Sequence, residues 1–292
     1  MKPDERMEGA GPAMPPRASE AQRVTVIRPS RGWRSLDLAE LWRYRDLFGM
    51  LVERDVKVRY KQTVLGSAWA ILQPVMTMVV FTVLFGQFAK MPSDGVPYPI
   101  FVYAALLPWL FFANSITTAA NSLVGSSNLI SKVYFPRLLI PLSSIGASLV
   151  DFAIASSVLL VMMVYYGLGW SLNLLLVPFL TLGIIFAALG VGTLLAALNA
   201  SYRDFRYVVP FGVQLWMFVT PVAYPISVVP EAWRWVIFLN PMTGLIDAMR
   251  AAFLGLPLNG SAIVVSLAVS VLLFAIAVAY FERVERGFAD VI

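Results

Sequence analysis

The stretch ERDVKVRYKQTVLGSAWAILQP, residues 53–74, changes character at Gly66. Arg54, Lys57, Arg59 and Lys61 precede the change, and no Lys, Arg, Asp or Glu occurs from Gln62 to Ala89. Crossing the hydrocarbon core of a bilayer takes about 20 apolar residues, so this window holds a complete span. Basic residues packed just before a span mark the cytoplasmic face. The chain upstream of Gly66 is therefore expected inside the cell.

Composition carries the same message to the rest of the chain. Of 292 residues, 59% are hydrophobic, above the roughly 45–50% of a soluble domain, so most of the chain belongs in lipid. The absence of Cys excludes disulfides and thiolate metal sites, and the absence of His removes the commonest general base and metal ligand. Metal-dependent or triad catalysis is not expected. The net charge of +5 comes from the amino-terminal segment and reports orientation, not nucleic-acid binding.

Residues 1–35, rich in Pro, Gly, Ala and Arg, read as a disordered cytoplasmic tail without the apolar core of a signal peptide. From residue 36 the chain reads as one transmembrane domain reaching residue 292. Leu41, Tyr44, Phe48, Leu51 and Val52 recur at steps of three and four, with Glu40, Arg43, Asp46 and Glu53 on the other face. Asp37 and Glu40 resemble a capping box. This pattern predicts an amphipathic helix at the inner leaflet, or alternatively a cytoplasmic helix on a soluble partner.

Charge-free windows and turn signals bound six spans at about 67–88, 99–123, 138–166, 174–198, 208–224 and 262–281. Asp151 is the single charge within the third; hydrogen bonding to nearby Ser or Tyr, or a place close to the inner interface, accounts for it as well as a transport role does. Six spans put both termini in the cytoplasm. With that orientation, only Lys90, Arg234 and Arg250 of the 22 basic residues fall outside. Between spans five and six, Pro230, Asn240, Pro241 and Gly244 interrupt an amphipathic stretch. Two short helices dipping back into the outer leaflet fit it, because irregular backbone at membrane depth must be covered by protein or face water; a simple external loop is the alternative.

The chemistry available is that of passage, not catalysis. Phe81, Phe85 and Phe88, then Phe101, Trp109 and Phe112, then Trp216, Thr220 and Tyr224 each fall on about one helix face. Such faces serve packing as readily as transport. They also suit a glycan, whose C–H faces stack on rings while Tyr and Trp supply a hydrogen-bonding edge. Trp233 and Trp235 are candidate interface anchors or gate residues. The connector from Asn128 through Leu129, Lys132, Val133 and Phe135 to Arg137 mixes apolar and basic groups, as a docking surface for a soluble partner does, although Lys132 and Arg137 could instead snorkel from a lipid-facing loop. No G-x-x-x-x-G-K-S/T loop occurs, so nucleotide hydrolysis is expected in another subunit.

Four stretches now carry a family resemblance: RYKQTVLGSAWAILQP following Arg54-Asp55, NLISKVYFPRLLIPLS at 128–143, YRDFRYVVP at 202–210 with TPVAYP at 220–225, and LNP at 239–241. In this order the chain resembles the permease subunits of type-2 ABC exporters for polysaccharides, the Wzm-like group that handles O antigen, capsule and teichoic acid. The resemblance covers about residues 37–292. It implies an all-α membrane protein with six transmembrane helices, an amino-terminal interface helix over about Asp37–Val52, and two re-entrant outer gate helices over about Val229–Leu254 that include Asn240 and Pro241. It further implies a coupling helix at about Asn121–Lys132, a homodimer, and two copies of a separate ATP-binding subunit that holds ATP and Mg. The cargo implied is a lipid-linked glycan in the bacterial inner membrane. A permease for drugs or small lipids is the nearest alternative. A membrane glycosyltransferase is a more distant one, with only Asp94, Glu231 and Asp247 as outer acids.

Overall fold

The computed structural model describes residues 38–61, 66–202 and 204–285. The tail expected over 1–35, and Asp37 of the capping box, lie outside the described residues. Every element among the described residues is helical. The amino-terminal amphipathic pattern forms two helices instead of one, α1 Leu38–Arg43 and α2 Arg45–Lys61, so the second continues well past Val52. Its apolar side does not stand free. Leu47, Phe48 and Leu51 pack into the subunit, and Val52 closes on Gly146 of the third long helix, where a Cβ would come within 2.8 Å.

Among the described residues, five helices are long and apolar enough to cross a membrane. They are α3 Ala68–Phe81, extended by a π-helical segment Thr82–Phe88; α4 Tyr98–Gly125; α6 Leu139–Tyr165; α7 Val177–Ser201, preceded by a 3-10 segment Leu172–Leu176; and α11 Gly260–Val284. Between α4 and α6 lies the short α5 Ser127–Lys132. The helix expected to fill 208–224 is shorter: α8 runs Phe205–Val219 and stops where Thr220 turns to extended backbone ahead of Pro221. A residue before proline is disfavoured in the α region, which is the local reason. Between α8 and α11 stand α9 Glu231–Phe238 and α10 Pro241–Leu254. Asn240 accepts a hydrogen bond from the Met242 N–H and Pro241 fills the first helical position, so α10 begins where the N-cap and proline preferences put it.

Helix α4 lies at the centre, packed against α3, α6, α7, α8 and α10, while α11 packs on α7 and α10. Close approach depends on small residues. Gly192 of α7 meets Ala119 of α4, Gly190 meets the backbone of α11 at Phe274, and Gly244 of α10 lies where a Cβ would be 2.3 Å from the Ala262 carbonyl. At one end of the bundle Leu51, Leu123, Ile130, Phe135, Ala197 and Phe281 share a cluster. The connector α5, the body of α2 and the last turns of α7 and α11 therefore meet at that end. At the other end Tyr98 donates to the Ala223 carbonyl at 2.6 Å and Ser227 donates to Asp94 at 3.1 Å.

Candidate coupling and gating sites

The connector between α4 and α6 divides into anchors and a free edge. Ile130 and Phe135 are buried in the end cluster. The Arg137 guanidinium donates to the backbone carbonyl of Glu285, and the Arg137 N–H donates to the Glu285 carboxylate at 3.3 Å. Burial raises the Glu285 pKa above the usual carboxylate range, against the pull of Arg137. Phe135 and Arg137, named with the docking residues from sequence, thus hold the loop to the subunit. Asn128, Lys132 and Val133 are exposed and Leu129 is half-buried. Tyr134, which sequence reading did not single out, is 71% exposed. An aromatic within a mixed apolar stretch resembles a core residue until its neighbours are seen to be buried.

Asp151 is paired across the fold. The Arg59 guanidinium and the Tyr60 hydroxyl, both in the last turn of α2, donate to its carboxylate. Burial, with the hydrogen bond to Asp151 next, pushes the Tyr60 hydroxyl up to about 12. The lone acid of the third span is therefore bound to the basic stretch that opens the first. That is the hydrogen-bonded alternative weighed from sequence, with Arg59 added to the expected tyrosine.

The far end brings together residues from two different sequence-named sets. Trp216 Nε1 donates to Asn240 Oδ1 at 3.1 Å, and Asn240 Nδ2 donates to Thr220 Oγ1 at 2.9 Å. Behind Trp216 lie Phe112, edge-on at 5.1 Å between ring centres, and Trp109 at 6.4 Å. One amide thus ties the end of α8 to the junction of α9 and α10. Trp109 and Phe112 are enclosed within the subunit, as is Phe101, whose ring lies 4.0 Å from the Arg250 guanidinium carbon. Arg250, one of the basic residues assigned to the outside, is itself buried and donates to the Pro221 and Val222 carbonyls. No sequence pattern marked it, because its hydrogen-bond acceptors are backbone atoms.

The other aromatic residues keep accessible surface to differing degrees. Phe81 is buried and packs edge-on to the half-buried Phe85, whereas Phe88 is 78% exposed. Tyr224 is half-buried, with its hydroxyl on the Val219 carbonyl at 3.1 Å. Trp233 and Trp235 project from α9 into the open, while Pro241 is buried at the head of α10.

The pattern common to the family described as ABC-2 type transporter matches residues 46–254. The O-antigen export system permease protein RfbA of Myxococcus xanthus is 33% identical over 255 residues, covering 86% of this chain and 97% of that protein. A protein of the same description from Klebsiella pneumoniae is 28% identical over 248 residues, covering 85% of this chain and 95% of its own length. The polysialic acid transport protein KpsM of Escherichia coli is 22% identical over 207 residues, 68% of this chain and 78% of its own. The family match starts in the first turn of α2 and ends with the last residue of α10, taking in the Asp151 pairing, the connector and the Asn240 junction: this multi-pass membrane protein belongs to the ABC-2 type transporter family.

Proposed function

We propose that this chain is the permease subunit of an ATP-driven exporter that moves a lipid-linked polysaccharide, of which O antigen is one kind, out of the cytoplasm across the bacterial inner membrane. The observation that carries the reading is the connector: Lys132, Val133 and Tyr134 are exposed on a loop pinned from behind by Phe135 and by Arg137 on Glu285. A loop anchored on one side and open on the other transmits force, because a push on its edge reaches α4 and α6 without being absorbed by local flexing. ATP and Mg are held by a separate subunit, two copies of which dock on two copies of this chain. The relatives described as O-antigen export permeases, matched over nearly their whole lengths, support the cargo.

In this reading α8 and the turns of 220–225 together make a sixth crossing, with both termini in the cytoplasm. The first two helices form the interface element, and α9 and α10 form the re-entrant outer pair. The exposed sides of α3 and α8 face the second copy and the passage between the two. Phe85, Phe88, Trp216 and Tyr224 present ring surface to the cargo, while Phe81, Phe101, Trp109 and Phe112 support them from within. Lys132→Glu and Tyr134→Ala in the full complex test the docking edge. The expected result is about tenfold weaker association with the ATP-binding subunit, or ATP hydrolysis without export. Wild-type association and export in both variants would remove the connector from the mechanism.

A further inference from the structure

A cavity of about 350 Å³ lies between the last turn of α2, the first turns of α3 and the middle of α4 and α6. It is open on one side, where Gln73 and Trp69 are exposed, and polar side chains line it. Gln73 of α3, Asn114 of α4, and Ser148 and Asp151 of α6 all border it. Polar side chains in membrane segments are costly against lipid, and they gather where a ligand or water takes its place. Most of these groups are accounted for. The Thr117 and Thr118 hydroxyls, also at the wall, bond back to carbonyls of their own helix at 2.7 Å, and Asp151 is held by Arg59 and Tyr60.

The Gln73 carboxamide, exposed at the mouth, and the half-buried Asn114 carboxamide are different: neither side chain has a hydrogen-bond partner among the described residues. Each offers two N–H donors and an acceptor. The pairing of Asp151 with Arg59 leaves the cavity without net charge, so its chemistry favours a neutral occupant over a phosphate. Phe111 and Phe152, with ring centres 5.3 Å apart, and Trp69 supply aromatic wall. Free amides beside aromatic faces match a sugar ring, whose hydroxyls need two-way hydrogen bonding and whose C–H faces pack on rings. The volume lies within the roughly 300–1,000 Å³ of small-molecule sites.

We propose that this cavity binds a neutral sugar ring at the membrane-anchored end of the cargo, with the Gln73 and Asn114 amides on its hydroxyls. The proposal rests on the glycan-export reading and adds a holding place separate from the aromatic residues around Trp216. Because the chain has no cysteine, Ala70→Cys at the cavity wall creates a single reporter, with Thr118→Cys as a second. Thiol labelling is followed in the full complex in lipid nanodiscs, with three probes: a polyprenyl-diphosphate monosaccharide, polyprenyl diphosphate without sugar, and phosphatidylglycerol. The sugar-bearing lipid is expected to slow labelling at least tenfold, the other two less than twofold, and adding Asn114→Leu to abolish the protection. Equal protection by the sugar-free lipids would assign the cavity to a lipid headgroup and overturn the proposal, as would no protection by any probe, or protection that survives Asn114→Leu. Export of the same sugar-bearing lipid by the unaltered complex separates the two ideas: export without protection sinks the cavity alone, and no export sinks the functional reading beneath it.

Discussion

Helices α3 and α4 are both apolar spans without a charged residue, yet 83% of the most apolar window of α4 is buried inside the subunit against 11% for α3. Hydropathy reports that a side chain avoids water; it does not say whether lipid or protein replaces the water. Between helices in lipid there is no hydrophobic drive, and association depends on close packing at small residues. Ala104, Ala105, Ala113, Ala119 and Ala120 of α4 are buried, and Gly192 of α7 approaches Ala119 directly. From Ile71 to Phe85, α3 has neither Gly nor Ala. One helix is shaped to be surrounded, and the other keeps an open side.

The contrast can be broken most decisively at matched phenylalanines. Phe112→Ala in α4 should lower subunit stability by about 3–5 kcal/mol, whereas Phe88→Ala at the end of α3 should change it by less than about 0.5 kcal/mol. Thermal unfolding of the detergent-solubilised subunit distinguishes these, and equal losses would erase the distinction between the two helices. A smaller effect is expected from crowding: Gly192→Val should cost about 1–3 kcal/mol by forcing α7 off Ala119, while Val80→Leu on the exposed side of α3 should leave the unfolding temperature unchanged. The Asp151 pairing sharpens the comparison, since it fixes α2 on α6, one of the helices that α3 leans on. Asp151→Asn should cost about 1–3 kcal/mol by leaving Arg59 half-buried without its carboxylate, and the exchange Arg59→Asp with Asp151→Arg should recover part of that in the same assay.

The smallest effect concerns Glu285, at the connector end of α11. Because burial raises its pKa in the folded state, the fold favours the protonated form. The associated stability is present at low pH and is lost as pH rises through the raised value. Glu285→Gln keeps the backbone carbonyl that Arg137 uses, so it should equal the wild type near pH 4 and exceed it by about 0.5 kcal/mol or less at pH 8. A variant less stable than wild type at pH 8 would mean that the Glu285 charge contributes more through Arg137 than its burial removes.

Much of the architecture was legible because charge-free windows long enough for a bilayer leave few alternatives. The five long helices lie within a few residues of five windows marked from sequence. The helix expected to end near Tyr224 ends at Val219, a difference produced by backbone geometry beside Pro221 and invisible to a count of apolar residues. Exposure along the connector was legible in part. Lys132 and Val133 are at the surface, but Phe135 and Arg137 face inward, and Arg137 finds its acceptor 148 residues later in the chain. The Trp216 and Asn240 contact joins residues named separately for passage and gate, which periodicity within one helix cannot anticipate.

By itself the sequence determined a membrane-embedded helical chain and the family whose motifs it carries in order. Each of these depends on local composition, since transfer into lipid is decided segment by segment. Tertiary structure alone decided which apolar faces meet protein, that Asp151 belongs to Arg59 and Tyr60, that Arg250 is enclosed, and that the Gln73 and Asn114 amides of α3 and α4 border one cavity. Those facts depend on which helices become neighbours. In lipid that choice follows from the fit of small residues and the satisfaction of distant polar groups, neither of which a single segment contains.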